Sequence, residues 1–257
     1  MRKPVLVSVV LPLAGVAAYL ALMLVVPTGY RWMLFSENGL FELGTAIGFL
    51  AAGVAAIRLG RKSRGLVAGR YTAFYFLLAA TFWFIALEEL SYGQHLFGWS
   101  SPKWFQVHNG KAEINLHNLY DSGISSLLRD FANLGLPALW IVIPVVALYL
   151  RGDYSRSRWS YFVLPRRELV GLALVAQSIT WLDAIASHAI GGMLLIRPGE
   201  VQEFFWAIGS LAYVIVLSKR VAALAGADAD ADRDVLSVNL AGQTTHAANF
   251  ALTRTAA

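Results

Sequence analysis

Apolar residues gather along this chain in six stretches separated by shorter polar or basic intervals. The stretches cover 5–26, 40–57, 71–90, 132–150, 169–190 and 204–217. A helix of about 20 apolar residues spans a hydrocarbon core of roughly 30 Å. The pattern therefore predicts an all-α fold, a polytopic membrane helix bundle of about six transmembrane helices filling 1–221. The first stretch follows Arg2 and Lys3. It exceeds the roughly 7–15 apolar residues of a signal-peptide core, so it reads as a span. The fourth reaches membrane length only by taking in 132–135.

Between the third and fourth stretches lies a loop, 91–135, too polar to cross a bilayer. An amphipathic piece around 122–134 suits the membrane interface. After residue 221 the chain alternates Ala with Asp228, Asp230 and Asp232, then becomes rich in Ala, Thr and Asn. Too few large apolar side chains remain there to build a core, so 222–257 reads as a disordered cytoplasmic tail.

Charge sets the orientation. Arg58, Arg61, Lys62, Arg64 and Arg70 lie between the second and third stretches; Arg151, Arg156, Arg158, Arg166 and Arg167 lie between the fourth and fifth; Lys219 and Arg220 follow the sixth. Lysine and arginine accumulate on the cytoplasmic side of spans. Both termini are therefore expected inside, in the plasma (inner) membrane, with the loop 91–135 outside. Composition agrees, because 57% of residues are hydrophobic and 14% charged, against about a quarter charged in soluble domains. The net charge of +5 comes from residues flanking spans, so topology accounts for it and nucleic acid is not an expected partner. The chain has no cysteine, which excludes disulfides, thiolate metal sites and a cysteine nucleophile.

On this topology Glu37, Glu42, Glu88, Glu89, His95, His108, Glu113, His117, Asp183, His188, Glu200 and Glu203 all fall at the outer ends of spans or beyond them. Ionisable groups at membrane depth are costly and are functional candidates by default. If helix continues through 88–95, then Glu88, Ser91 or Tyr92, and His95 share one face. A carboxylate in such a place can act as general acid or base, or ligate a divalent metal. Glu113 and His117 are spaced i, i+4, which on a helix lets a carboxylate orient an imidazole or share a metal with it. Asn115 and Asn118 add hydrogen-bonding capacity beside them. Gln177, Thr180, Asp183 and Ser187 draw a polar stripe up the fifth span, and stripes of this kind usually face neighbouring helices. Glu200 and Glu203 open the sixth helix, where acids complement the helix dipole without catalysis. Outer aromatics such as Phe97, Trp99, Trp104 and Phe105 fit an interfacial belt. No phosphate-cradling glycine loop, nucleophile elbow or zinc-protease helix motif is present.

Glu88-Glu89-Leu90-Ser91-Tyr92-Gly93-Gln94, then Phe97-Gly98, Ser101-Pro102, Asn109, Glu113 and Asn115-Leu116-His117-Asn118 resemble a family of uncharacterised bacterial polytopic membrane proteins whose pattern reads roughly E-E-I-S-W-G-Q, F-G, T-P, N-x-Q-x-E-x-N-L-H-N. The resemblance covers about residues 35–120. Tyr92 stands where that pattern has tryptophan, His95 where it has arginine and Lys111 where it has glutamine, which sets His95 outside the expected ligands. A fainter likeness, through Glu37 to Glu42, is to alkaline-ceramidase-type membrane hydrolases, without their serine and histidine zinc pattern.

These readings combine into one expectation: an outward-facing, metal-dependent membrane hydrolase or transferase acting on a lipid or lipid-linked substrate. Glu88, Glu89 and Asp183 would be catalytic. Gln94, Asn115 and Asn118 would bind substrate. Glu113, His117 and His188 would hold a divalent metal ion, zinc or calcium, that activates water. The alternatives are a proton- or cation-coupled carrier and a non-catalytic membrane assembly subunit.

Overall fold

The computed structural model describes residues 10–27, 39–120, 123–146, 159–165, 167–190 and 197–225. Among these residues the structure is helical, with no strand and one isolated bridge between Asn109 and Leu119. The long helices are α1 (Leu11–Val25), α2 (Leu40–Ser63), α3 (Gly69–Glu89), α8 (Arg167–Ile190) and α9 (Pro198–Ala225). Short helices α4 (Gln94–Phe97) and α5 (Lys103–His108) lie in the polar loop, α6 (Gly123–Asp130) follows it, and α7 (Trp159–Val163) precedes α8. Four helices, α2, α3, α8 and α9, are long and apolar enough to cross a membrane.

Helix boundaries follow hydrogen bonding and not hydropathy. Accordingly α2 runs beyond the expected end at 57 through Arg58, Arg61 and Lys62, where basic side chains complement its C-terminal dipole. Helix α9 starts earlier than 204, at Pro198, and runs to Ala225, so the expected tail begins inside it. The rest of that tail, 226–257, the start of the first stretch and Glu37 lie outside the described residues. The expected amphipathic piece and the described part of the fourth stretch form one continuous helix. Helix continues from Gly123 to Val146 through widened π-type turns at Phe131–Gly135 and Ala138–Val142. Pro137, which has no backbone N–H to donate, stands between the two wide turns.

Small residues let the helices approach, as membrane packing requires where no hydrophobic force operates between apolar surfaces. Gly44 and Gly48 of α2 face Phe204 and Ala207 of α9; a Cβ on Gly48 would stand 2.9 Å from Ala207 Cβ. Gly53 and Gly60 accept Trp83 and Phe76 of α3, and Gly15 of α1 accepts Phe205. Gln177 and Gln202 join α8 to α9 by a buried amide hydrogen bond of 3.0 Å. At the end remote from Glu89, side chains close the C-terminal carbonyls of α7. Tyr75 donates to Phe162 O (3.1 Å), Tyr213 to Val163 O, and Arg220 to Tyr161 O (2.6 Å) and Leu164 O (2.9 Å). This core brings the N-termini of α2 and α9 to the same end as the C-terminus of α3, where the polar loop is mounted.

Candidate functional site

Helix α3 stops at Glu89 because the chain reverses through three left-handed residues, Ser91 (φ 45°), Tyr92 (φ 52°) and Gly93 (φ 85°). Glycine adopts this conformation freely, whereas each non-glycine residue held there costs about 1–3 kcal/mol unless its surroundings enforce it. Here they do. The Ser91 hydroxyl donates to Glu113 Oε2 (3.2 Å) and accepts from Asn115 Nδ2 (3.1 Å), while Tyr92 engages the Glu88 carboxylate. The continuous helix expected through 88–95 is therefore absent, and the reversal itself carries Ser91 and His95 to Glu113.

The Glu113 and His117 pair expected on one helix face does not form either. Residues 109–120 make a closed loop, sealed by the Asn109–Leu119 bridge and by Gly110 N–H donating to Asn118 O and Tyr120 N–H to His108 O, both at 2.8 Å. Asn109 organises its interior. Its amide donates to the Asn115 carbonyl and Oδ1, each at 2.8 Å, and its own Oδ1 accepts the N–H of Lys111 (2.9 Å) and Glu113 (3.3 Å). Ala112 sits at φ 55°, a conformation that breaks helical spacing between Glu113 and the residues before it. Gln94 pins the loop from α4 by accepting Ile114 N–H (2.9 Å), and Ser101 bridges Gln94 and the Ala112 carbonyl.

Two carboxylate–imidazole pairs result, each crossing between α3 or α4 and the loop. Glu113 Oε1 lies 3.0 Å from His95 Nε2, and Glu88 Oε2 lies 3.4 Å from His117 Nδ1. In both pairs the carboxylate is buried, with side-chain exposures of 10% and 5%, while the imidazole is about one-third exposed at 33% and 35%. Glu113 Oε2 also accepts from Asn115 (2.8 Å) and Asn118 (3.4 Å). Glu88 Oε2 takes the backbone N–H of Leu116 (2.7 Å) and His117 (3.2 Å). Buried carboxylates need such donors, because removing an ionised group from water is otherwise prohibitive. Burial and the neighbouring Glu88 carboxylate push the Tyr92 hydroxyl above its ordinary value of 10.0.

Glu89, one residue on, belongs to a different environment. The strongest charges acting on it are those of Glu203, Glu200, Glu42 and Glu88, so the ends of α2, α3 and α9 converge there. Glu200 pairs with Arg197 at 3.5 Å in the first turn of α9, consistent with the dipole role expected of it.

Comparison with protein-family models, with curated proteins and with solved structures found no match.

Glu88, Glu113, His117, Gln94, Asn115 and Asn118 come together in one hydrogen-bond network. Gln94 and Asn115 hydrogen-bond within the loop, and Asn115 is buried. Asp183 is buried on α8, with its backbone carbonyl accepting the Ser187 hydroxyl, and is not among the strongest charges on Glu89 or Glu203. His188 is exposed near the end of α8. Among the described residues no three His, Asp or Glu side chains form a group able to hold a metal ion. Glu113 and His117 belong instead to two separate carboxylate–imidazole pairs, with His95 and Glu88 respectively. His95 and Asn109 were the residues that sequence reasoning undervalued. The N-x-x-x-E-x-N spacing at Asn109, Glu113 and Asn115 is the signal that marks the second of them.

Proposed function

We propose that this is a six-span protein of the plasma (inner) membrane, with both termini cytoplasmic, that acts at its outward face as a hydrolase or transferase on a lipid or lipid-linked substrate. One observation carries the reading: His117 Nδ1 faces the buried Glu88 carboxylate at 3.4 Å, while about a third of the imidazole stays exposed. An imidazole fixed from behind by a carboxylate and open in front is suited to general base catalysis. His117 would take the proton of an attacking water or hydroxyl. The new bond forms at the acyl or phosphoryl centre of the substrate, and the departing oxygen takes its proton from Glu89 or Glu203. Glu88 is then a positioning residue. The likeness of 35–120 to a bacterial membrane-protein family supports a shared site in the loop that follows α3.

The test is lipid analysis of membranes from cells making the protein, its His117→Ala form, or neither. The reading expects a lipid species that changes with the wild-type protein and not with the variant. Identical profiles in all three would exclude it.

A second reading, a proton- or cation-coupled carrier, is favoured by the convergence of Glu42, Glu89, Glu200 and Glu203 at the ends of α2, α3 and α9, beside the buried Gln177–Gln202 pair. Flux of protons or cations in proteoliposomes that is lost in Glu89→Gln would favour it over catalysis.

A further inference from the structure

The inner side of the loop spanning Leu90 to Tyr120 holds the polar network; α4, α5 and the link between them also present apolar side chains left exposed among the described residues. Leu96, Phe97, Trp99, Trp104 and Val107 are exposed, Phe97 and Val107 at 71% and 70%. Exposed apolar residues of this size in one small element mark an interaction surface.

Position decides what that surface meets. The loop is tied at both ends to helices of the bundle, α3 ending at Glu89 and helix resuming at Gly123. Phe97 follows Glu89 by eight residues that are mostly coiled into a reversal and α4. At about 1.5 Å per helical residue such a segment rises on the order of 12 Å. The polar zone beside the hydrocarbon core is roughly 5–8 Å thick on each side. The apolar residues of α4 therefore cannot stand far from the bilayer that α3 crosses. Their types match that boundary, since tryptophan and other amphipathic rings favour headgroup depth. Charge matches as well. Lys103 and Lys111 are exposed, whereas Glu113, the acid between residues 90 and 120, is buried and hydrogen-bonded. A cationic, aromatic surface suits phosphate headgroups and the acyl boundary beneath them.

We infer that the loop is an in-plane interfacial element whose Leu96, Phe97, Trp99, Trp104 and Val107 rest in the adjacent lipid leaflet. The His117 and Glu113 network is thereby held at headgroup depth, and a lipid reaches it sideways from that leaflet. The inference takes from the proposed function that a lipid is the substrate, but its test measures depth alone and can fail independently.

The chain has no cysteine, so single Phe97→Cys, Val107→Cys, Leu96→Cys and Lys111→Cys variants can each carry one nitroxide label. The full-length variants are placed in nanodiscs of phosphatidylcholine and phosphatidylglycerol, and collision of the label with oxygen and with a water-soluble nickel chelate is measured. At 97 and 107, oxygen accessibility is expected to exceed nickel accessibility severalfold, with the order reversed at 111. Nickel accessibility at 97 and 107 equal to that at 111 would place the loop in water and overturn the inference. Low accessibility to both reagents would mean a protein partner or a second copy covers the surface, which also overturns it. Leu96→Cys replaces either variant that does not fold.

Discussion

Glu88 Oε2 receives the backbone N–H of His117 at 3.2 Å and faces the ring Nδ1 of the same residue at 3.4 Å, so one carboxylate oxygen fixes both the loop and the imidazole it carries. Glu88→Ala should strand the N–H groups of Leu116 and His117 in a buried place, at about 1–3 kcal/mol for each unsatisfied group. Thermal unfolding in detergent should fall by several degrees. Glu88→Gln keeps an acceptor oxygen for the backbone and should cost less, while abolishing any lipid change that depends on an oriented His117. Equal stability of all three proteins would mean the contact holds nothing in place.

The Asn109 side chain makes four hydrogen bonds inside its own loop. Asn109→Ala should therefore release residues 109–119 without unfolding the bundle. Hydrogen exchange followed by mass spectrometry is expected to rise by orders of magnitude at Gly110, Glu113 and Tyr120, and to stay unchanged along α2. Local opening of this kind separates from global unfolding because loop and helices are distinct cooperative units.

Helix α2 meets α9 where Gly48 faces Ala207. An alanine at 48 would put two methyl carbons 2.9 Å apart, closer than packed carbons sit. Gly48→Ala should cost about 1–3 kcal/mol, outweighing alanine's helix preference of about 1 kcal/mol. Adding Ala207→Gly should restore much of the loss. A second change that deepens the loss instead would refute this packing. The check is retention of folded protein by size-exclusion chromatography after heating.

Tyr92 supplies a pH dependence. Its hydroxyl is held protonated by burial and by Glu88, so its folded value lies above the ordinary 10.0. A group with a raised folded value contributes stability that is complete below the unfolded value and lost as pH rises through the folded one. Tyr92→Phe should therefore differ from wild type by a constant amount up to about pH 10, and the difference should shrink at more alkaline pH. Unfolding temperature measured from neutral pH upward gives the comparison.

Much of the helical frame was legible from hydropathy. The stretches at 40–57, 71–90, 169–190 and 204–217 each coincide with a helix able to cross a membrane. Periodicity could not show that α3 ends in a left-handed reversal, because Ser91 and Tyr92 carry no glycine-like signal for positive φ. The spacing of Glu113 and His117 misled for a related reason: a local i, i+4 pattern has meaning only on a helix, and Asn109 and Ala112 fold that segment as a loop. The partners that did form are 18 and 29 residues apart, His95 with Glu113 and His117 with Glu88. No local rule pairs residues at such distances. What sequence did single out, through the crowding of polar residues in an otherwise apolar chain, was the membership of the network.

The central claim is that Glu88 acts through His117 at the outward face. A double-mutant cycle on the lipid change, with Glu88→Gln, His117→Ala and the two combined, tests it most directly. Coupled residues are expected to be strongly non-additive, so the combined variant should lose no more than His117→Ala alone. Losses that simply add, or wild-type lipid profiles in every variant, would contradict the account.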